Sequence, residues 1–254
     1  MTIYTSLKDK VAIVTGGGSG IGRSICLALA SQGVRVVVAN RRQALGQETV
    51  DLINARRGEA IFVPTDIADS SSVQNLMQQT INTFGKLDLA INNAAGIGDM
   101  ALLAQQSETS FSHLVDVNIK GNFYCLKHEL SAILNTSAAG AIVNILSIHA
   151  LRTVVPGLSP YTATKHAVYG LTKAAAVEYA EQKIRINAVA PGPTDTEMLR
   201  EAAGGNTNPF AAMLPMQRLG TPKEVADAVL WLCSDNARFV TGQLLAVDGG
   251  YLAK

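Results

Sequence analysis

The sequence predicts an α/β fold in which a single domain is built on a doubly wound sheet of seven parallel strands. Three observations carry this. Short runs rich in Val, Ile and Ala alternate seven times with segments whose apolar residues recur at helical spacing. These runs contain few polar residues, the composition of strands covered on both faces. A glycine cluster stands where the first run hands over to the first helical segment. Repeated strand–helix units pack back onto one sheet through right-handed crossovers, which favours a doubly wound sheet over a sandwich.

Val11 to Thr15 is the first strand, and the helix after the glycines runs from Ile21 to Ser31, with Ile25, Ala28 and Leu29 on one side. Val34 to Ala39, nearly continuous Val, is the second strand. The alternation continues with a helix over 43–56, a strand over 60–64, a helix over 70–83 and a strand over 87–92. A long helix near 109–134, a strand over 141–146, a helix over 161–180 and a strand over 184–189 follow. A helix over 222–234 and a strand over 243–247 complete the pattern. No Pro/Ser-rich stretch or charge block marks a linker, so residues 1–254 read as one domain.

Composition narrows the function classes. With 21 Lys and Arg against 20 Asp and Glu in 254 residues, the net charge is +1, too small a field to attract nucleic acid or an anionic membrane. At 48% hydrophobic and 16% charged residues the chain can bury a large core. Its apolar runs fall short of the roughly 20 residues that span a bilayer. Met1 to Lys10 has no apolar stretch resembling a secretory signal, so a cytoplasmic protein is expected. Cys26, Cys125 and Cys233 are far apart, without metal or redox spacing, and are expected to be buried reduced thiols. No metal site is expected.

Chemistry is sought at the carboxyl ends of the strands, where doubly wound sheets bind ligands. Thr15-Gly16-Gly17-Gly18-Ser19-Gly20-Ile21-Gly22 joins strand to helix. Glycines permit positive φ and close approach of a phosphate, and a helix N-terminus offers free N–H groups and a positive dipole end. The segment reads as a pyrophosphate cradle, with Gly16, Gly18, Ser19, Gly20 and Ile21 as its contacts. Dinucleotide folds place an acid about 20 residues further on to bind ribose hydroxyls. Here the second strand ends in Asn40-Arg41-Arg42, with no carboxylate to repel a 2′-phosphate and two guanidinium groups to grip one. NADP(H) is therefore expected in preference to NAD(H).

At this point the chain resembles the short-chain dehydrogenase/reductase family from about Lys10 to Tyr251. The resemblance rests on the glycine segment, Asn92-Asn93-Ala94-Ala95-Gly96, Asn118, Ser147, Tyr161-x-x-x-Lys165, Arg185-Ile186-Asn187 and Pro191-Gly192. The closing Arg218-Leu219-Gly220-Thr221-Pro222 and Val247-Asp248-Gly249-Gly250 also match. Their order is what discriminates, because Tyr-x-x-x-Lys occurs three times, at Tyr4, Tyr161 and Tyr169. Only Tyr161 follows a strand that ends in a hydroxyl, Ser147.

The resemblance implies a Rossmann fold, with a cofactor half over about 10–140 and a catalytic and substrate half over about 141–254. It implies that Tyr161 is the general acid/base, Ser147 the holder of the substrate oxygen, and Asn118 the anchor of a water chain from Lys165. Lys165 would also bind the nicotinamide ribose. A lysine one helical turn away would lower the phenol pKa, and a drop of about three units corresponds to roughly 4 kcal/mol. By the same resemblance Asp66 and Ile67 meet the adenine, Asn93 and Ala94 form the cofactor floor, and Pro191, Gly192, Thr194 and Thr196 meet the nicotinamide side. Ala95, Leu146 and Thr194 depart from the residues common in the family.

His149 at the strand end, with Met198 and Phe210 in a lid over about 194–215, is expected to face the substrate. The reaction implied is hydride transfer between NADP(H) and a ketone or secondary alcohol. The alternatives are an NAD(H)-dependent secondary alcohol dehydrogenase, a lyase or epimerase using the cofactor transiently, and a dinucleotide-binding regulator without turnover. Apolar residues on more than one face of two helices (Phe123, Leu126 and Leu130; Val168, Leu171 and Ala175) suggest burial against other subunits, and the resemblance makes the assembly a homotetramer.

Overall fold

Runs of strong β-formers, most of them buried along consecutive residues, place the strands first. β1 (Val11–Thr15), β2 (Arg35–Asn40), β3 (Ala60–Pro64), β4 (Leu89–Asn92), β5 (Gly140–Ile145), β6 (Ile184–Pro191) and β7 (Leu244–Val247) form one sheet in a computed structural model. The sheet has the order β3-β2-β1-β4-β5-β6-β7, and every neighbouring pair is parallel. Residues 3–153 and 155–254 are described; Met1 and Thr2, part of the segment read for a signal, and Val154 lie outside them.

Successive strand residues serve opposite layers. Val36 and Val38 join Ile25, Leu29, Val225 and Val229 in one core layer, whereas Val37 and Ala39 join Leu76, Leu126 and Ile133 in the other. The first layer takes its helices from α1 (Gly20–Ala30), α2 (Gln43–Asn54) and α9 (Pro222–Cys233). The second takes them from α3 (Ser70–Phe84), α5 (Gly121–Thr136) and α6 (Ser159–Glu178). Strand order reverses between β1 and β4, which opens a crevice beyond their carboxyl ends.

The long helix near 109–134 is interrupted. α4 (Glu108–Val115) passes through a π turn at Asp116–Lys120, which contains Asn118, into α5. Strand β6 runs on through Pro191, two residues beyond the predicted end, and pairs with Val247 there. The segment predicted as a lid holds two short helices, α7 (Glu197–Ala202) and α8 (Asn208–Ala212). The three cysteines are free and buried. Among the described residues no helix is long and apolar enough to cross a membrane.

The helix faces cited for assembly need correction. Leu126, Leu130, Val168 and Ala175 are buried within the protomer, and Leu171 packs against the same core. α5 and α6 lie against the sheet and against neighbouring helices, which cover more of each than a sheet alone would. Of the six residues only Phe123 is substantially exposed, at 47%. Leu134 on the same helix, about three turns away, and Val177 on α6 are also exposed.

One polar group sits deep in the second layer. Glu129 of α5 is fully buried, and Asn92 Nδ2 donates to its Oε2 at 2.9 Å. Glu129 Oε1 and Asn92 Oδ1 have no partner. Burial raises the Glu129 pKa to about 7, against a weaker lowering by the Asn92 hydrogen bond. A protonated carboxyl can donate to the amide oxygen, so the acid form matches this site. The folded state then holds a proton that the unfolded chain releases above about 4.5. Stability is retained below pH 4.5 and falls as pH rises toward 7, by roughly 3 kcal/mol. Glu129→Gln, whose amide can satisfy both atoms, is expected to match wild type in Tm near pH 5 and exceed it at pH 8. A Tm difference that is constant across this range would contradict the assignment.

Candidate active site

The crevice between β1 and β4 opens into a cleft of about 530 Å³ that continues under α7 and α8. At one end β1 turns into α1. Gly16 has φ +66°, and a Cβ on Gly22 would lie 2.1 Å from the Gly16 carbonyl oxygen, so the turn closes at a distance only hydrogen permits. Ser19 caps α1 without a side-chain hydrogen bond, leaving the first N–H groups of the helix to the cleft. The turn is tied to β4 by Asn93, whose Nδ2 donates to the carbonyls of Thr15 and Gly16. Thr15 Oγ1 accepts from the N–H groups of Asn93 and Ala94. A close-packed backbone with free donors fits a pyrophosphate.

Beyond β2, Asn40 Nδ2 donates to the Arg42 carbonyl at 2.9 Å, and Arg42 Nη2 reaches Ser19 Oγ at 3.3 Å. Neither Arg41 nor Arg42 is paired with a carboxylate among the described residues. Arg23, by contrast, is committed: it donates to the Gly18 carbonyl and pairs with Glu48. Asp66 lines the cleft beside Ile67, and its Oδ1 accepts from the Ala68 N–H. The cap of α3 is Asp69, not Asp66.

At the other end, Tyr161 and Lys165 project from the first turns of α6 toward Ser147, which follows β5. The Ser147 hydroxyl lies near enough to the Tyr161 phenol to favour its ionised form. The expected lowering of the tyrosine pKa is not found. Burial raises it to about 12, with the Ser147 hydroxyl opposing, and burial lowers the Lys165 pKa to about 8. Geometry explains this: Lys165 Nζ donates to the Ile145 carbonyl at 3.1 Å and sits 5.5 Å from the centre of the Tyr161 ring. Desolvation outweighs any attraction it exerts on the phenol oxygen.

All the residues predicted for cofactor, catalysis and substrate line this cleft except Gly18 and Asn118. Gly18 lies just behind it, its carbonyl taken by Arg23. Asn118 is buried; its Oδ1 accepts from the Gly96 N–H and its Nδ2 donates to the Gly96 carbonyl and Thr164 Oγ1. Its side chain thus fastens the loop after β4 to α6. Thr194 Oγ1 donates to the Gly192 carbonyl, and Thr196 Oγ1 caps α7 by accepting from the Leu199 N–H. Tyr169 packs beside Leu146 and Val168 outside the cleft, with Lys173 4.5 Å from its ring. Sequence reasoning missed Thr15, Thr162 and the wall residues Ile97, Met100 and Leu158. Their types carry no motif, although the hydroxyl ending β1 stands directly before the glycines.

The model of a family described as enoyl-(acyl carrier protein) reductase matches residues 16–252. Together with the relatives, this settles the family. The chain belongs to the short-chain dehydrogenase/reductases. A cyclohexanol dehydrogenase of an Acinetobacter species, strain SE19, is 42% identical over 246 residues, covering 97% of this chain and 96% of that one. A solved structure from Agrobacterium tumefaciens with bound NADP is 33% identical over the whole of both chains, with a TM-score of 0.87. Carveol dehydrogenase from Mycobacterium avium, solved in complex with NAD, is 26% identical, covers 98% of this chain and all of that one, and superposes with a TM-score of 0.93. This short-chain dehydrogenase/reductase thus has an oxidoreductase fold, and its structural relatives have been solved with NADP bound in one case and NAD in another.

Proposed function

We propose that this chain transfers hydride between NADP(H) and a neutral ketone or secondary alcohol, with Tyr161 as the proton donor and acceptor. The observation that carries this is one cleft with Ser147 and Tyr161 at one end and two arginines without acidic partners at the other. The glycine turn, Asp66, Ile67, Asn93 and Ala94 would hold the dinucleotide, with Pro191, Gly192, Thr194 and Thr196 along its nicotinamide side. When bound, the nicotinamide supplies or accepts the hydride.

The chain's own residues handle the proton. With its pKa near 12, Tyr161 enters reduction as a neutral phenol and can give its proton to the substrate oxygen that Ser147 holds. A negative charge left on the phenol would favour the charged form of Lys165, so turnover draws together two pKa values that burial pushes apart. Oxidation runs the same proton back. Met100, Ile148, Leu158, Met198 and Phe210 give the substrate end apolar walls, and Glu197 and Glu201 at its rim disfavour anions. We read the assembly as a homotetramer that covers Phe123, Leu134 and Val177, and the protein as cytoplasmic.

Cofactor choice is the measurable core of this reading. kcat/KM on cyclohexanone is expected to be higher with NADPH than with NADH. Asn40→Asp combined with Arg41→Ile is expected to move the ratio toward NADH by about ten- to hundredfold, the value of one charge-assisted hydrogen bond. A wild-type enzyme faster with NADH would favour the NAD(H)-dependent alternative and leave the arginines as surface charges.

A further inference from the structure

His149 lines the cleft beside Tyr161, yet the proposed reaction gives it no task. It is held from three directions. Its Nδ1 lies 2.8 Å from Thr162 Oγ1, on the helix that carries Tyr161. Its backbone N–H donates to Ser147 Oγ at 3.2 Å. Its ring stands edge-on to the Tyr161 ring, with centres 5.5 Å apart and planes at 75°. A ring anchored to the helix of Tyr161 and set against the Tyr161 ring, on a backbone tied to the Ser147 hydroxyl, keeps a constant distance from the substrate oxygen.

The other ring nitrogen is free. Nε2 has no hydrogen-bond partner among the described residues, although His149 is only 6% exposed. It is also not sealed in, since the enclosed unpaired side-chain atoms are Asn92 Oδ1 and Glu129 Oε1. The opening left to it is the cleft. Burial and the neighbouring His166 lower the pKa of the ring, which is therefore neutral near pH 7 and offers one donor or one acceptor at Nε2. Leu146, Ile148, Leu158 and Phe210, which line the same cleft, are apolar. A substrate that is pure hydrocarbon beyond its reacting carbon would strip this nitrogen of water and give nothing back.

We propose that His149 Nε2 binds a second oxygen of the substrate, so that the enzyme selects compact, mostly apolar molecules carrying a hydroxyl or carbonyl besides the reacting one. This rests on the reading of Tyr161 and Ser147 given above. Cyclohexanol, cyclohexane-1,2-diol and cyclohexane-1,4-diol, each assayed with NADP⁺ and with NAD⁺, test it. At least one diol is expected to exceed cyclohexanol in kcat/KM by about tenfold, the worth of one net hydrogen bond. His149→Leu is expected to lower the ratio of kcat/KM for that diol to kcat/KM for cyclohexanol by a similar factor. His149→Gln, whose amide can reach toward the position of Nε2, is expected to restore part of the preference.

Equal losses on diol and alcohol in His149→Leu would overturn the proposal, because the ring would then only support Tyr161. A wild-type enzyme that oxidises cyclohexanol with no advantage for either diol would also overturn it, leaving the proposed function standing. Inactivity of the wild type on all three with both cofactors would sink the two together. Should His149→Leu fail to fold, the comparison of the three substrates in the wild type decides.

Discussion

Tyr161→Phe is expected to lower kcat by about 10³-fold while the affinity for NADPH stays within about threefold of wild type, general acid–base groups typically contributing 10²- to 10⁴-fold. The substitution deletes the proton that moves and little else. The ring keeps its edge contact with His149, and Lys165 keeps its bond to the Ile145 carbonyl. Single-turnover reduction and nucleotide titration separate the two quantities. Tyr169→Phe is the matched control, since that ring lies in a separate apolar cluster with Lys173 above it. Full activity in Tyr161→Phe, or loss in Tyr169→Phe, would overturn the assignment.

Gly22→Ala is expected to be the most damaging small substitution in the dinucleotide half. The added Cβ would meet the Gly16 carbonyl oxygen at 2.1 Å and the Asn93 amide nitrogen at 2.6 Å. The carbonyl belongs to the turn that fits a pyrophosphate, where backbone cannot swing aside as a long side chain can, and the amide is the clamp that ties that turn to the end of β4. NADPH affinity is expected to fall more than about hundredfold, a loss of about 3 kcal/mol. A destabilisation of similar size, about 3 kcal/mol, would lower Tm by about 6 to 12 °C. Gly85→Ala serves as the contrast: φ is +79° there, but nothing lies within 4 Å of a new Cβ. It is expected to cost about 1 kcal/mol and to leave nucleotide binding unchanged. Equal binding losses in the two variants would show that strain, not crowding of the turn, governs the site.

The sheet was legible because both of its faces are buried: Val34 to Ala39 can be little else than an interior strand, and the crossover rule then orders its neighbours. Tyr161, Ser147 and the glycine turn were legible because each stands at the end of a strand and their order along the chain is distinctive. Other features depend on contacts between distant residues. Glu129 looks like an ordinary helix carboxylate until Asn92, far away in sequence, is found against it. Thr162 adjoins Tyr161, yet nothing in its type announces a bond to His149. The tyrosine pKa was misjudged for a similar reason. Spacing along a helix puts Lys165 near the ring but does not reveal that its nitrogen is engaged by the Ile145 carbonyl.

The π turn at Asp116–Lys120 resets the phase of everything after it. Each residue of an α-helix advances the azimuth by about 100°, and a π turn accommodates one surplus residue without breaking the rod. α5 presents Cys125, Leu126, Leu130 and Ile133 to the sheet only because that surplus is absorbed ahead of them. The wider loop of backbone also holds Asn118, whose amide clasps Gly96 and Thr164. A chain shortened by one residue here would form a more regular helix and a worse protein, with the Glu129 carboxyl turned away from Asn92 and the apolar stripe rotated out of the core. The irregularity thus acts as a gear between two α-helical segments of different phase, and the site on one side depends on the packing on the other.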